Sequence, residues 1–150
     1  MTWTDPQRQA AFANWLGSLA SAHALVPTSL RIASADASFR RYLRLDTLSG
    51  PSLIVMDAPP DKENCEPFVK VAKLMKLAGL KAPEVLAWDA PQGFMLLTDL
   101  GDQTMMSAID TQSPQANHAL YMQAVDALID WQRSSKPAVL PLYDEALLNR

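Results

Sequence analysis

The chain is short of the residues from which most catalytic and metal sites are built, with two histidines, one cysteine and five glycines in 150 residues. Cys65 alone can neither close an internal disulfide nor complete a zinc site, which fits a reducing compartment. With no histidine near it in sequence, it reads as an ordinary half-buried thiol. His23 and His118 fall in helical patterns, where a surface or structural histidine is the plainer reading than a ligand. Positive charge is also scarce: 13 Lys and Arg face 16 Asp and Glu, a formal charge of −3, which argues against a general nucleic-acid binder. No stretch approaches the ~20 apolar residues of a membrane helix, and the N-terminus lacks the charged-then-apolar order of a leader. A cytoplasmic chain with no membrane partner is expected. There is no Gly-x-Gly-x-x-Gly, no Walker loop, no His-Glu-x-x-His, and no serine or cysteine nucleophile beside a recognisable base. Asp126, Asp130 and Asp144 lie in helical contexts and carry no such pattern. No catalytic residue and no metal ligand is therefore expected within this chain.

What the chain does have is apolar content, 49% of its residues, enough for one good-sized core. It is laid out with two periodicities. Residues 5 to 24 read as a helix with Asp5 as N-cap, Pro6 in the first turn, and Phe12, Trp15, Leu16 and Leu19 on one face. Leu30 to Ala33 is a short strand. A small turn-competent loop, Ala35 to Ser38, then precedes Phe39 to Leu45, where Phe39, Arg41, Leu43 and Leu45 would face one way and Arg40, Tyr42 and Arg44 the other. Leu53 to Met56 reads as a buried strand that Asp57 to Pro60 breaks. The helix that follows carries Phe68, Val71, Ala72, Met75 and Ala78 on one face, with Lys70, Lys73 and Lys76 on a solvated one and Gly79 as its stop. Val85 to Trp88 and Phe94 to Thr98 bracket the turn Ala90 to Gly93. After Gly101 the pattern is helical: Thr104 to Ile109, then Ser113-Pro114 onward to Arg133 with a stripe of Leu120, Tyr121, Ala124, Val125, Leu128 and Ile129, then Tyr143 to Asn149. The expected class is α+β.

Three motifs in order carry a resemblance: Asp36-Ala-Ser-Phe-Arg-Arg-Tyr42, then Val55-Met-Asp-Ala-Pro-Pro60 continued by Asp61-Lys-Glu63, and Gly93-Phe-Met-Leu-Leu-Thr-Asp-Leu-Gly101. Together they resemble the aminoglycoside phosphotransferase-like kinases, and within them the amino-sugar kinases. The resemblance implies a protein-kinase-like N-lobe, a five-stranded antiparallel sheet plus a helix, over residues 1–100, followed over 101–150 by the first helices of an α-helical C-lobe. It implies transfer of the γ-phosphoryl of ATP, with Mg²⁺, to the anomeric hydroxyl of an amino sugar. On that basis Ala37, Ser38 and Phe39 sit at a phosphate loop, Leu97, Thr98, Asp99 and Leu100 form a hinge against adenine, and Ile54 lines the nucleotide cleft. Met56 stands where the family places a phosphate-pairing lysine, so that charge is missing or comes from Arg41 or Arg44. Glu63 and Glu66 are the candidates for its helix partner, and both serve equally well as first-turn acids.

The family's catalytic loop and second metal-binding aspartate have no match before Arg150, and the last helical pattern stops without a cap, so a truncated and inactive piece is expected. Its uncovered stripe of Leu120, Val125 and Leu128 is expected to pair with a neighbour, for instance in a homodimer. Three alternatives stay open: a non-catalytic nucleotide-binding module, another small-molecule kinase of the same family, or an interaction domain in which a solvated edge of Arg40, Arg41 and Arg44 docks an acidic partner. The nucleotide readings require Phe39 and Thr98 to border a common hollow.

Overall fold

The first helix starts at a strong cap: the Asp5 carboxylate accepts from the N–H groups of Gln7 at 2.8 Å and Arg8 at 3.3 Å, with Pro6 pre-set for the first turn. The computed structural model of the chain describes residues 3, 5–35 and 39–148. Ala37 and Ser38, two of the phosphate-loop candidates, lie outside the described residues, as does Asn149. Helix α1 spans Pro6–Leu19, shorter than expected. Past Leu19 the backbone makes one closing turn in which the Leu25 N–H reaches the Ala20 carbonyl at 2.9 Å and Ala24 takes φ 51°. This is the left-handed stop that glycine usually provides, here made by an alanine, a residue type that does not mark such a stop in advance.

Five strands form one antiparallel sheet: β1 Arg31–Ala35, β2 Arg41–Leu45, β3 Leu53–Asp57, β4 Val85–Asp89 and β5 Phe94–Thr98, in spatial order β1-β2-β3-β5-β4. Helix α2, Glu66–Leu77, lies between β3 and β4 in the chain. The register across β2, β3 and β5 is regular, with rows Arg41/Asp57/Phe94, Tyr42/Met56/Met95, Leu43/Val55/Leu96, Arg44/Ile54/Leu97 and Leu45/Leu53/Thr98. Because side chains alternate along a strand, each row faces opposite to the next. Leu43, Leu45, Leu53, Val55, Phe94 and Leu96 form a buried core with Phe12 and Leu16 of α1. Met56, Met95 and Leu97 form a second core with Ala58 and Cys65, against which Tyr42, Ile54, Phe68 and Val69 pack. With both faces covered, the central strands read as continuous apolar runs rather than alternating ones.

Two expectations change here. Phe39 stands outside β2 and is 64% exposed, so the hairpin arm is shorter at its tip than the alternation suggested. Asp57, read as a strand breaker, is the fully buried last residue of β3. The turn that returns the chain to β5 is held by Gly93 at φ 71°, where an added Cβ would land on the Ala58 carbonyl. The expected lysine face of α2 holds: Lys70, Lys73 and Lys76 are exposed.

The chain divides into two compact units, Met1–Ala72 with Pro83–Asp102, and Lys73–Ala82 with Gln103–Arg150. The second holds α3 Met105–Ala108, α4 His118–Ser134 and α5 Glu145–Leu148. Thr104 caps α3 by accepting from the Ser107 N–H. Before α4, Pro114–Asn117 forms a tighter helical turn, and the buried Asn117 side chain exchanges hydrogen bonds with the Asp110 backbone at 2.9 and 2.8 Å. Along α4, Tyr121, Val125, Leu128 and Ile129 of the expected stripe are exposed.

Candidate functional site

Three carboxylates organise the three arginines of the β2 region, and each lies at a different place. Arg41 faces α1. Its guanidinium engages the buried Asp57, with Nε donating at 2.8 Å, and stacks 3.9 Å over the Trp3 ring. Arg8, one turn into α1, donates to the same carboxylate through Nε at 2.9 Å and through Nη2, and lies 4.6 Å over the Phe94 ring. Asp57 thus takes hydrogen bonds from two guanidinium groups brought from 49 and 16 residues away. The arrangement ties α1 to the strand that carries Met56.

On the opposite face, the side of α2, Arg44 shares a row with Ile54 and Leu97. It grips Asp99 with two prongs, Nε at 2.5 Å and Nη2 at 3.0 Å. Ser52 Oγ donates to the same carboxylate at 2.7 Å and the Gly101 N–H at 2.8 Å. Burial opposes the charge on Asp99, but the hydrogen bonds from Arg44, Ser52 and Gly101 outweigh it and hold the carboxyl below the usual carboxylate range. The effect is to fix the chain just after β5 against β2 and the start of β3. Gly101 at φ 93° allows the turn back to that carboxylate.

Arg40 occupies the third place. It stands between the segment 36–38 and β2, and its Nε and Nη2 both lie 3.0 Å from Glu63 Oε2, just ahead of α2. Burial works against its charge, but hydrogen bonds with Tyr42 and Glu63 prevail and raise its pKa above the usual arginine value. Cys65, two residues beyond Glu63, belongs to the core that holds Met56, and burial raises its thiol pKa against the opposing pull of Arg40.

The sheet face toward α2 is therefore an apolar floor with a cation and carboxylate at each end. Ile54 and Tyr42 keep part of their surface accessible, while Met56 and Leu97 are buried. Of the residues expected at a nucleotide site, the structure brings Ile54, Met56, Leu97 and Arg44 to this face, with Asp99 beside them. It sets Arg41 on the other face, already engaged by Asp57, because Arg41 follows the Leu43 and Leu45 alternation. Thr98 also faces away, in the Leu45/Leu53 row, where its Oγ1 accepts from the Glu84 N–H at 2.9 Å. Leu100 follows the strand and is 45% exposed. Phe39 lies near Lys62, 5.9 Å from Nζ to the ring centre, at the end of the sheet opposite Thr98. Neither of the two hollows described in the first unit, of about 340 and 270 Å³, is lined by Phe39 or Thr98. Phe39 and Thr98 belong to opposite strand ends and Thr98 points toward α1, so the expectation that these two side chains border one hollow is corrected. What a nucleotide reading keeps is the α2 face between Arg40 and Arg44, where Ile54 lies.

The picture of Arg40, Arg41 and Arg44 as a solvated edge is likewise corrected, since each is bound to a carboxylate of its own chain. Sequence reasoning missed Asp57 and the Arg40–Glu63 pairing. Glu63 was a named candidate for the partner of a phosphate-pairing cation, but with Arg41 or Arg44 as that cation, whereas the arginine it pairs with is Arg40. Among the described residues no group of three or more His, Cys, Asp or Glu is placed to hold a metal ion. Asp57 and Asp99 are occupied by arginines, so the described carboxylates do not fit a Mg²⁺ site and no step is assigned to one. No helix is long and apolar enough to cross a membrane among the described residues.

The sequence pattern of the phosphotransferase enzyme family matches residues 29–150. The chain belongs to that family. As a phosphotransferase-family chain it is also similar to proteins named N-acetylmuramate/N-acetylglucosamine kinase. It is 50% identical to that of Pseudomonas aeruginosa over 124 residues, 83% of this chain and 36% of the relative. To that of Pseudomonas putida it is 42% identical over 149 residues, 99% of this chain and 41% of the relative. To that of Neisseria meningitidis it is 39% identical over 145 residues, 96% of this chain and 42% of the relative. The phosphotransferase-family chain thus spans about two fifths of the length of these curated relatives. Its five-stranded antiparallel sheet and helices accord with the N-lobe architecture expected from the sequence motifs.

Proposed function

We propose that this chain is the ATP-binding part of a sugar kinase that phosphorylates the anomeric hydroxyl of N-acetylmuramate or N-acetylglucosamine. Residues 1–100 form the nucleotide-binding lobe and 101–150 begin the helical lobe. The observation that carries the reading is the row Arg44/Ile54/Leu97, which ends in a hinge anchored through Asp99. It offers a purine an apolar floor beside a chain segment held in place. Ile54 supplies that floor with the buried Leu97 packed behind it, and Leu97 to Leu100 supply backbone groups to the base edge. Ala37, Ser38 and Phe39 belong to the loop over the phosphates. Mg²⁺ would accompany the nucleotide and lower the charge of its phosphates, and none of the described residues is assigned to hold it. The contribution of these residues is positioning and charge neutralisation rather than covalent chemistry.

Four relatives bearing the same printed name support the amino-sugar acceptor over other small molecules. The burial of Met56 is what favours a non-catalytic nucleotide module as a second reading, because it leaves no charge at that strand position. The test is calorimetric titration of the chain with Mg²⁺–ATP. Saturable binding that ADP competes away supports the nucleotide reading, and its absence at millimolar nucleotide overturns it. The exposed stripe on α4 further supports self-association of this chain, and a monomer by sedimentation at high concentration would remove that part.

A further inference from the structure

The geometry points to Arg40, positioned by Glu63, as the guanidinium that meets the outer phosphates of the nucleotide, in place of a charge on the strand at Met56. The inference rests on the nucleotide reading above and deepens it. Three observations carry it. First, the candidates divide by position. Arg41 is on the α1 face, and Arg44 sits in the hinge row held by Asp99 and backed by Ser52. Arg40 stands at the far end of β2 from the hinge, immediately before Arg41. Second, the spacing suits an extended ligand. Arg44 lies four positions beyond Arg40, and at roughly 3.3 Å per residue that is about 13 Å, a span that an extended nucleoside triphosphate covers. A base against Ile54 therefore directs its phosphates toward Arg40. Third, Met56 is buried and uncharged, while Cys65 in the same core lies close enough to feel the Arg40 charge. The Arg40 guanidinium thus reaches the surroundings of the position from which a strand cation would act. Glu63 holds it with two N–H groups on one oxygen, so the fork is oriented before a ligand arrives and little rotamer freedom remains to be lost. Arginine presents its donors as a planar fork that matches phosphate oxygens, which lysine does not.

The experiment compares affinities of the chain for ATP, ADP, AMP and adenosine by calorimetry, in wild type, Arg40→Ala, Arg40→Lys, Glu63→Gln and Arg41→Ala. Wild type is expected to bind ATP more tightly than AMP. Arg40→Ala loses about ten- to a hundredfold for ATP, the size of one charge-assisted hydrogen bond or two, and leaves adenosine unchanged. Arg40→Lys, which retains charge and stem, loses less, and it serves as the reporter should Arg40→Ala fail to fold. Glu63→Gln loses a smaller factor in the same direction, and Arg41→Ala leaves the ATP-to-AMP ratio as in wild type. A uniform loss across all four ligands in the Arg40 variants marks a structural role and overturns the inference, as does an unchanged ATP affinity. Absence of any nucleotide binding in wild type overturns the underlying reading instead, and is seen before any variant is made.

Discussion

Replacing Asp57 by Asn keeps the shape of the side chain and removes its charge, and the structure sets the size of the effect. The carboxylate is fully buried and accepts from Nε and Nη2 of both Arg8 and Arg41. An amide there has one acceptor oxygen and turns an NH₂ group toward a guanidinium. Breaking a buried charge pair from one side costs about 3–5 kcal/mol. The stranded partners are not wholly dry, since the Arg8 and Arg41 side chains are 17% and 37% exposed, so both recover some hydration. That places the expected cost near the lower bound, about 3 kcal/mol. For a chain of this length it corresponds to a fall in Tm of roughly 6–12 °C. Urea melts followed by tryptophan fluorescence suit the measurement, because Trp3 and Trp15 stand in the aromatic group with Phe12 and Phe94 that borders these arginines. The further variant with Arg8 and Arg41 also neutralised should lose less stability than the sum of its parts. A melt of Asp57→Asn within about 1 kcal/mol of wild type, the range of exposed ion pairs, would refute the view that this buried carboxylate holds α1 to the sheet.

Gly93→Ala should destabilise by more than about 2 kcal/mol in the same melts, combining a left-handed residue with a Cβ driven onto the Ala58 carbonyl; a loss below about 0.5 kcal/mol would show that the turn relaxes freely. Because the Asp99 carboxyl is held below its usual pKa, its contribution is present above about pH 4 and is lost as pH falls through the depressed folded value. The stability gap between wild type and Ser52→Ala should therefore narrow in acid, and a gap constant from pH 7 down to pH 2 contradicts the anchoring of Asp99 by Ser52. With its thiol pKa raised by burial, Cys65 should react with a disulfide reagent at pH 8 far more slowly in the folded chain than in urea, and equal rates would contradict its placement in the Met56 core.

What was legible in the sequence was local. Leu53 to Met56 and Phe94 to Thr98 announce strands through four or five successive apolar residues, and Asp5-Pro6 announces a helix start through a cap and a fixed φ. What stayed hidden depends on partners far along the chain. Asp57 looked like punctuation before two prolines because nothing near it in sequence foretells Arg8, 49 residues earlier. The three arginines looked alike within a span of five residues, and only the sheet register sends Arg41 to one side and Arg44 to the other. The strand running to Thr98 was readable, whereas the anchor of the segment after it, Asp99 on Arg44 and Ser52, was not, since it joins three strands' ends. Phe39 was placed in a strand by alternation alone, and alternation does not mark where pairing stops.

The family pattern begins at residue 29, after α1, yet α1 supplies Phe12 and Leu16 to the larger core and Arg8 to Asp57. A protein trimmed to that boundary for expression would lay bare Leu43, Leu45, Val55 and Phe94 and halve the neutralisation of a buried anion. Such a fragment should come out insoluble even though every residue of the matched pattern is retained. For handling this molecule, the boundary that matters is drawn by what α1 covers, and it lies upstream of the one drawn by likeness.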